Sequence, residues 1–235
     1  LKLVNDNIRE DLTLENPSLC SKWVPREKSP FGLFFKVLAL DYFKIYINSA
    51  KSKEQKRKAI LKAFTDYRKI ISGLNKKLDT VQIKQCDNRW KDIDFNNITS
   101  ITITKQKLAF QNLKKINSSN LKQRSYMEDR VISAKLFNEF ISNKVSRNET
   151  IKGKRVGIEL MVKEALKNCY NNNESQDKNI LNLQWQDASK VIGELENMIA
   201  MVDTSGSMDG DPLHAAIGIG IRIAEKSKIG KRVLT

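Results

Sequence analysis

The sequence predicts a mainly α-helical chain that changes to an α/β pattern near its C-terminal end. Three observations carry this. Through most of the first 195 positions apolar residues recur three and four apart, the helical period. At Met198 that spacing gives way to a short continuous apolar run, "MIAMV", of the kind that forms a buried parallel strand. A small-residue loop, an apolar helix and a second strand pattern, "KRVLT", then follow.

Residues 1–30 mix Asn, Asp, Pro and Lys without a clear period and read as an irregular leader. From Leu33 to Ile47 apolar residues lie almost all round, which predicts a buried helix. In "EQKRKAILKAFTDYRKIISGL" the stripe Ile60, Phe64, Tyr67, Ile71 and Leu74 predicts an amphipathic helix, with Lys56, Arg57, Lys58, Lys62 and Lys69 facing water. A further helix is expected over Leu74 to Ile83, with Leu78 and Val81 inward. "CDNRWKDIDFNNITSITITKQKLAF" is ambiguous. Ile101 and Ile103 alternate as in a strand, yet Thr99 or Ser100 suits a helix cap. Val131, Leu136, Phe137, Phe140 and Ile141 share a side of the next helix. A basic glycine turn, "KGKRVG", opens another. "NNNESQDKN" reads as polar linker, and "LNLQWQDASKVIGEL" as one more helix with Trp185 inward. The boundaries expected are 1–30, 31–195 and 196–235.

Composition narrows the function classes. Forty per cent hydrophobic and 29% charged residues suit a globular chain. Cys20, Cys86 and Cys169 are odd in number and far apart, which argues for a reducing, cytoplasmic setting rather than a disulfide framework. With His214 the sole histidine and no Cys-x-x-Cys, a zinc site or a histidine base has little to work with. Sequons at Asn97, Asn117, Asn148 and Asn173 mean little without a signal peptide, and none is visible. The longest apolar run, "FGLFFKVLAL", is interrupted by Lys36 and too short for a bilayer, so a soluble protein with no membrane partner is expected. The chain starts without Met and stops as a strand gets under way, as a fragment would.

Charge is the strongest bulk signal. The net charge of +15 is uneven: residues 1–150 hold 30 Lys and Arg against 16 Asp and Glu, and residues 151–235 hold 12 against 11. Localised basic charge suits a polyanion, usually nucleic acid. It equally suits solvated helix faces rich in Lys.

The loop "MVDTSGSMDGDP" has three chemical readings. An aspartic protease needs Gly directly after the hydroxyl residue, and Gly206 comes one place late. A haloacid-dehalogenase phosphatase needs an acid where Ser205 stands. A divalent-cation site fits every position. Asp203, Ser205 and Ser207 set one carboxylate and two hydroxyls, all hard oxygen donors, on a turn at the carboxyl end of a strand. Mg²⁺ prefers such a site, with few protein charges and several retained waters. A cation held so lightly stays electrophilic and accepts a partner's carboxylate or phosphate as a last ligand.

This pattern and its flanks resemble the metal-ion-dependent adhesion site of von Willebrand factor A domains. That family also uses a Thr and an Asp from two later loops, which this sequence does not reach, so the resemblance implies an incomplete site for Mg²⁺ or another divalent cation. A basic helical array before such a domain resembles the TROVE proteins, which include the Ro autoantigen. The stretches "SKWVPREKS", "YRKIISGLNKKLDTVQIKQCDNRWKDIDFNNITS", "KQKLAF" and "MVDTSGSMDGDPLHAAIGIGI" are closer to a TROVE-related branch found in plants, fungi and large DNA viruses. The resemblance implies a HEAT-like helical array followed by the first strand–helix–strand of a Rossmann-like von Willebrand factor A domain. It also implies helix where "ITIT" locally suggests strand.

The expectation is therefore a non-enzymatic RNA-associated protein, with virion association if the source is viral. The basic residues expected to meet RNA are Lys51, Lys53, Lys56, Arg57, Lys58 and Lys62, then Lys152, Lys154 and Arg155 in the glycine turn. "KGKRVG" is no P-loop, since it lacks the leading Gly and the Gly-Lys-Ser/Thr end. Trp23, Trp90 and Trp185 suit base stacking but equally suit a core, and Asp92 with Asp94 suit capping better than acid–base work. The rival expectation is a protein-interaction scaffold whose metal captures an acidic partner side chain.

Overall fold

The computed structural model describes residues 1–116, 120–170 and 175–235. The chain divides into two compact units, Leu1–Asp87 and Asn88–Thr235, a division that falls inside the segment expected as one helical module. Among the described residues both are mainly helical.

The first unit contains α1 (Lys2–Thr13), α2 (Cys20–Trp23), α3 (Gly32–Tyr42), α4 (Lys44–Asn48), α5 (Lys53–Leu78) and α6 (Val81–Cys86). Residues 1–30, expected to be irregular, are thus largely helical. The pattern hid α1 because its inner face carries two polar residues, Asn5 and Asp11, beside Ile8. Asp11 accepts from the Ser18 amide at 2.7 Å and the Ser18 hydroxyl at 2.8 Å, which closes the turn after α1. The expected helix over Leu33–Ile47 is two helices that meet at Phe43, and it is not buried all round. Phe35, Leu38, Ala39 and Ile47 point inward while Leu33, Phe34 and Ile45 are exposed.

Helix α5 is the axis of this unit. Ser52 and Gln55 form a capping box at its start, the Gln55 amide donating to Ser52 Oγ and the Ser52 amide to Gln55 Oε1. Tyr67, Ile71 and Leu74 from α5 pack on Ile8, Val24, Phe35, Leu38 and Ala39. Ala59 and Ala63, small enough for close approach, meet Ile47 of α4. The helix expected over Leu74–Ile83 does not run through. Asp79 adopts the left-handed conformation (φ 41°) and ends α5, and α6 starts afresh at Val81, with Leu78 and Val81 only partly buried.

The second unit begins with 3₁₀ turns at Trp90–Asp92 and Phe95–Asn97, then α7 (Ser100–Phe110). Thr99 caps α7, so the helical alternative for "ITIT" is the one realised. Strands β1 (Leu113–Lys115) and β2 (Leu121–Gln123) pair antiparallel, Lys114 opposite Lys122, in a segment expected to be helical throughout. Helices α8 (Glu128–Ser146), α9 (Ile158–Tyr170) and α10 (Ser175–Ser189) follow. The first four residues of the expected polar linker lie outside the described residues, as do the sequons at Asn117 and Asn173; the rest of the linker opens α10. Phe95, Phe110 and Phe137 form the aromatic centre of this unit, with ring centroids 5.0 to 5.5 Å apart. Buried Gln184 ties α10 to α7, donating to Ser100 O at 3.2 Å and accepting from Thr104 Oγ1 at 3.2 Å.

The unit ends with β3 (Ala200–Met201), a 3₁₀ turn at Gly206–Met208, α11 (Asp211–Lys226) and β4 (Val233–Leu234). The two strands pair in parallel, Ala200 with Val233 and Met201 with Leu234, so the strand–helix–strand order is present. The first strand is not buried as expected: it covers only Ala200–Met201, and Met198, Ile199 and Met201 are exposed while Ala200 and Val202 face inward. Asp211 takes the first helical position and Pro212 the second. Two glycines let α11 pack on both sides. A Cβ at Gly218 would lie 2.6 Å from Ile158 of α9, and one at Gly220 would lie 2.5 Å from Val202 beside the strand.

Candidate metal centre and basic surface

Val202 anchors the end of β3. Its side chain is buried and its amide donates to Leu234 O at 2.8 Å. The next residue, Asp203, therefore leaves the sheet edge into water. Its Oδ1 accepts from the Ser205 amide at 2.8 Å, and that hydrogen bond holds the carboxyl below the usual carboxylate range. Ser205 Oγ and Ser207 Oγ lie 3.0 Å apart. The three residues expected as ligands are thus in one exposed turn, and Gly210 (φ 92°) redirects the chain from it into α11.

The oxygen spacing can be compared with what Mg²⁺ requires. At metal–oxygen distances of 2.0–2.1 Å, neighbouring ligands in an octahedron stand about 2.9 Å apart. The two hydroxyls match that edge, although a hydroxyl–hydroxyl hydrogen bond has the same length. Among the described residues no three His, Cys, Asp or Glu side chains come together as a metal cluster. A cation in this turn would therefore rest on one protein charge, two hydroxyls and water.

The basic residues fall in both units. Lys51, Lys53, Lys56, Arg57, Lys58 and Lys62 are all exposed at or near the start of α5. At 100° per residue they do not make a single stripe; Lys53, Lys56, Arg57 and Lys58 go round the first turns, and Lys62 stands a turn beyond Lys58. Lys58 pairs with Glu54 at 2.8 Å across open surface. Lys62 sits 5.5 Å from the ring of half-exposed Tyr46, and both border a shallow groove with Gln55 and Lys58. In the second unit Lys152, Lys154 and Arg155 are exposed around a packed turn. A Cβ at Gly153 would run into the Gln184 backbone carbonyl, and the Gly153 amide donates to Asp187 Oδ2 at 2.9 Å. That glycine serves packing against α10.

Of the tryptophans, Trp23 is exposed, whereas Trp90 and Trp185 are engaged. Arg130 stacks 3.4 Å from the Trp90 ring centre. Arg222 lies 4.5 Å over Trp185, whose indole donates to Glu225. Asp94 caps its 3₁₀ turn by accepting from the Asn96 amide. A polar cluster the sequence did not announce is centred on Lys107, which pairs with Glu164 at 3.0 Å and Asp177 at 2.8 Å. Its members come from three helices, so no local spacing marks them.

A family model described as "Domain of unknown function (DUF2828)" matches residues 3–196. Its match ends before Asp203. The chain is also similar to "Uncharacterized protein L728" of Acanthamoeba polyphaga mimivirus, 25% identical over 237 residues, 96% of this chain and 37% of the relative. The chain thus spans little more than a third of that viral relative. No solved structure matches. No helix among the described residues is long and apolar enough to cross a membrane.

Proposed function

The chain belongs to the DUF2828 family, and we propose that it is a non-enzymatic, RNA-associated member carrying a metal-ion-dependent adhesion-type turn. The observation that carries this reading is the start of α5. Six exposed cations gather there against one acid, Glu54. A helix N-terminus already holds partial positive charge, so cations at this end work against the helix. An RNA phosphate chain offsets that repulsion, and Tyr46 beside Lys62 offers a face on which a base stacks.

We read residues 196–235 as the opening of a von Willebrand factor A-like domain joined to a TROVE-related helical module. The parallel β3–β4 pair connected through α11 supports the first part of that reading. Three free cysteines suit a reducing, cytoplasmic setting.

The test is single-stranded RNA affinity at several salt concentrations, for the wild type and for the triple variant Arg57→Glu, Lys58→Glu, Lys62→Glu. Each phosphate contact contributes about 0.7 to the salt slope of a single strand, so the variant should flatten that slope by about two. Weakening should be similar across unrelated sequences. Absence of wild-type binding at low salt would refute the reading.

The Asp203 turn favours a second reading, a scaffold whose bound Mg²⁺ takes an acidic side chain of a protein partner. Asp203, Ser205 and Ser207 are exposed, and the Ser205 hydrogen bond holds the carboxyl below its ordinary range. Calorimetry should give Mg²⁺ and Mn²⁺ binding that Asp203→Ala abolishes. Binding should persist down to about pH 5, because a lowered carboxyl pKa loses its charge only below its ordinary value of 3.8. Metal binding unchanged in Asp203→Ala would remove this turn from consideration.

A further inference from the structure

The second unit holds a pocket of about 230 Å³ between α7, the β1–β2 ladder, α9 and the start of α10. We propose that this pocket binds a phosphate-type oxyanion.

Four lysines line the pocket, Lys105, Lys107, Lys115 and Lys167, against two acids, Glu164 and Asp177. Both acids are consumed within the protein. Glu164 gives Oε2 to Lys107 at 3.0 Å and Oε1 to Lys167 at 2.8 Å. Asp177 gives Oδ2 to Lys107 at 2.8 Å and Oδ1 to Gln111 Nε2 at 3.4 Å. Every carboxylate oxygen in the wall therefore has a partner already, and a cation entering the pocket meets no free one.

Donors, by contrast, are in surplus. Lys107 has three N–H groups and only these two partners on the carboxylates. Burial disfavours its charge, but hydrogen bonds and attraction from Asp177 and Glu164 outweigh that, so it remains an ammonium. Asn168 decides the matter. It is 3% exposed, it lines the pocket, and its Nδ2 has no hydrogen-bond partner among the described residues. A buried amide nitrogen without a partner costs stability, and an oxyanion oxygen that reached it from the neighbouring pocket would remove that cost. Lys105 and Lys115, exposed at the rim, supply further positive charge. Buried neutral donor, partly buried ammonium and cationic rim together make an anion receptor.

This inference is independent of the basic start of α5, which lies in the other unit. One chemistry has two sources here, a free phosphorylated small molecule or a backbone phosphate of nucleic acid. The experiment follows the Asn168 side-chain amide in ¹⁵N-labelled full chain while inorganic phosphate replaces chloride at constant ionic strength. A saturable shift of that amide is expected. The exposed-site variant Lys105→Ala, Lys115→Ala should weaken it about tenfold, as loss of charged contacts does. Asn168→Leu should abolish phosphate-dependent stabilisation while leaving the phosphate-free melting temperature unchanged or higher. Should Asn168→Leu fail to fold, the double lysine variant decides. Competition by a phosphate monoester alone supports the small-molecule source; equal competition by a dinucleoside phosphodiester supports nucleic acid. Equal responses to phosphate and chloride overturn the proposal, as does saturable binding that the lysine variant leaves unchanged.

Discussion

Tyr67 donates its phenolic hydrogen to Asn5 Oδ1 at 3.0 Å, and Asn5 passes its own amide to Leu38 O and Asp41 Oδ2 at 3.1 and 2.7 Å. Both residues are fully buried, so the chain of bonds is unscreened by water. Burial comes first among the causes that push the Tyr67 hydroxyl far above its ordinary value of 10.0. The sign follows from linkage. A group that holds its proton more tightly when folded contributes stability that is complete below the unfolded value and is lost progressively as pH rises from there through the folded value. Tyr67→Phe should cost about 1–3 kcal/mol at neutral pH, because Asn5 Oδ1 is left buried without its donor. The variant should also lose less stability above about pH 10 than the wild type does. Denaturant titrations at both pH values check this. At this scale the sequence was readable where chemistry is local. Thr99 as a cap and the grouping of Asp203, Ser205 and Ser207 need only neighbours two or three residues away. Asn5 was not readable, since its partners are 33 to 62 residues distant.

Helix α5 shows what an element adds. Its apolar period is strong enough to mark its middle from the sequence, yet neither of its ends follows from that period. The start is set by Ser52 and Gln55 and the stop by Asp79 turning left-handed. The cations beyond the cap carry a cost. Lys53 and Lys56 lie in the first turns, where the helix dipole favours acids, each worth about 0.3–1 kcal/mol when exposed. Lys53→Glu with Lys56→Glu should therefore raise the melting temperature while lowering RNA affinity. A fall in both would mean the lysines support the fold instead. Helix α7 makes the converse point. Thr102, Ile103 and Thr104 favour strand by local preference, yet Ile103 is buried and Thr104 bonds to both Ser100 O and Gln184. Packing decided that element, as it decided α1, whose inner face is too polar for a period to reveal.

Among the described residues each unit has a core of its own. The first unit closes around Tyr67, Leu74, Ile8 and Phe35, and the second has its own aromatic centre at Phe95, Phe110 and Phe137. Residues 1–87 expressed by themselves should therefore give a helical circular-dichroism spectrum and a cooperative thermal transition. A gradual melt without a transition would show that their core needs the remainder of the chain. By itself the sequence determined the mainly helical class, a strand shortly after Met198, the oxygen-rich turn and the excess of basic charge, because each is written in composition or in spacings of a few residues. Tertiary structure alone decided the division near Asp87, the β1–β2 ladder, the break at Phe43 and the donor-rich pocket at Asn168. Those depend on which distant side chains meet: Lys107 finds Glu164 and Asp177 57 and 70 positions away, and only the packing of three helices brings them together.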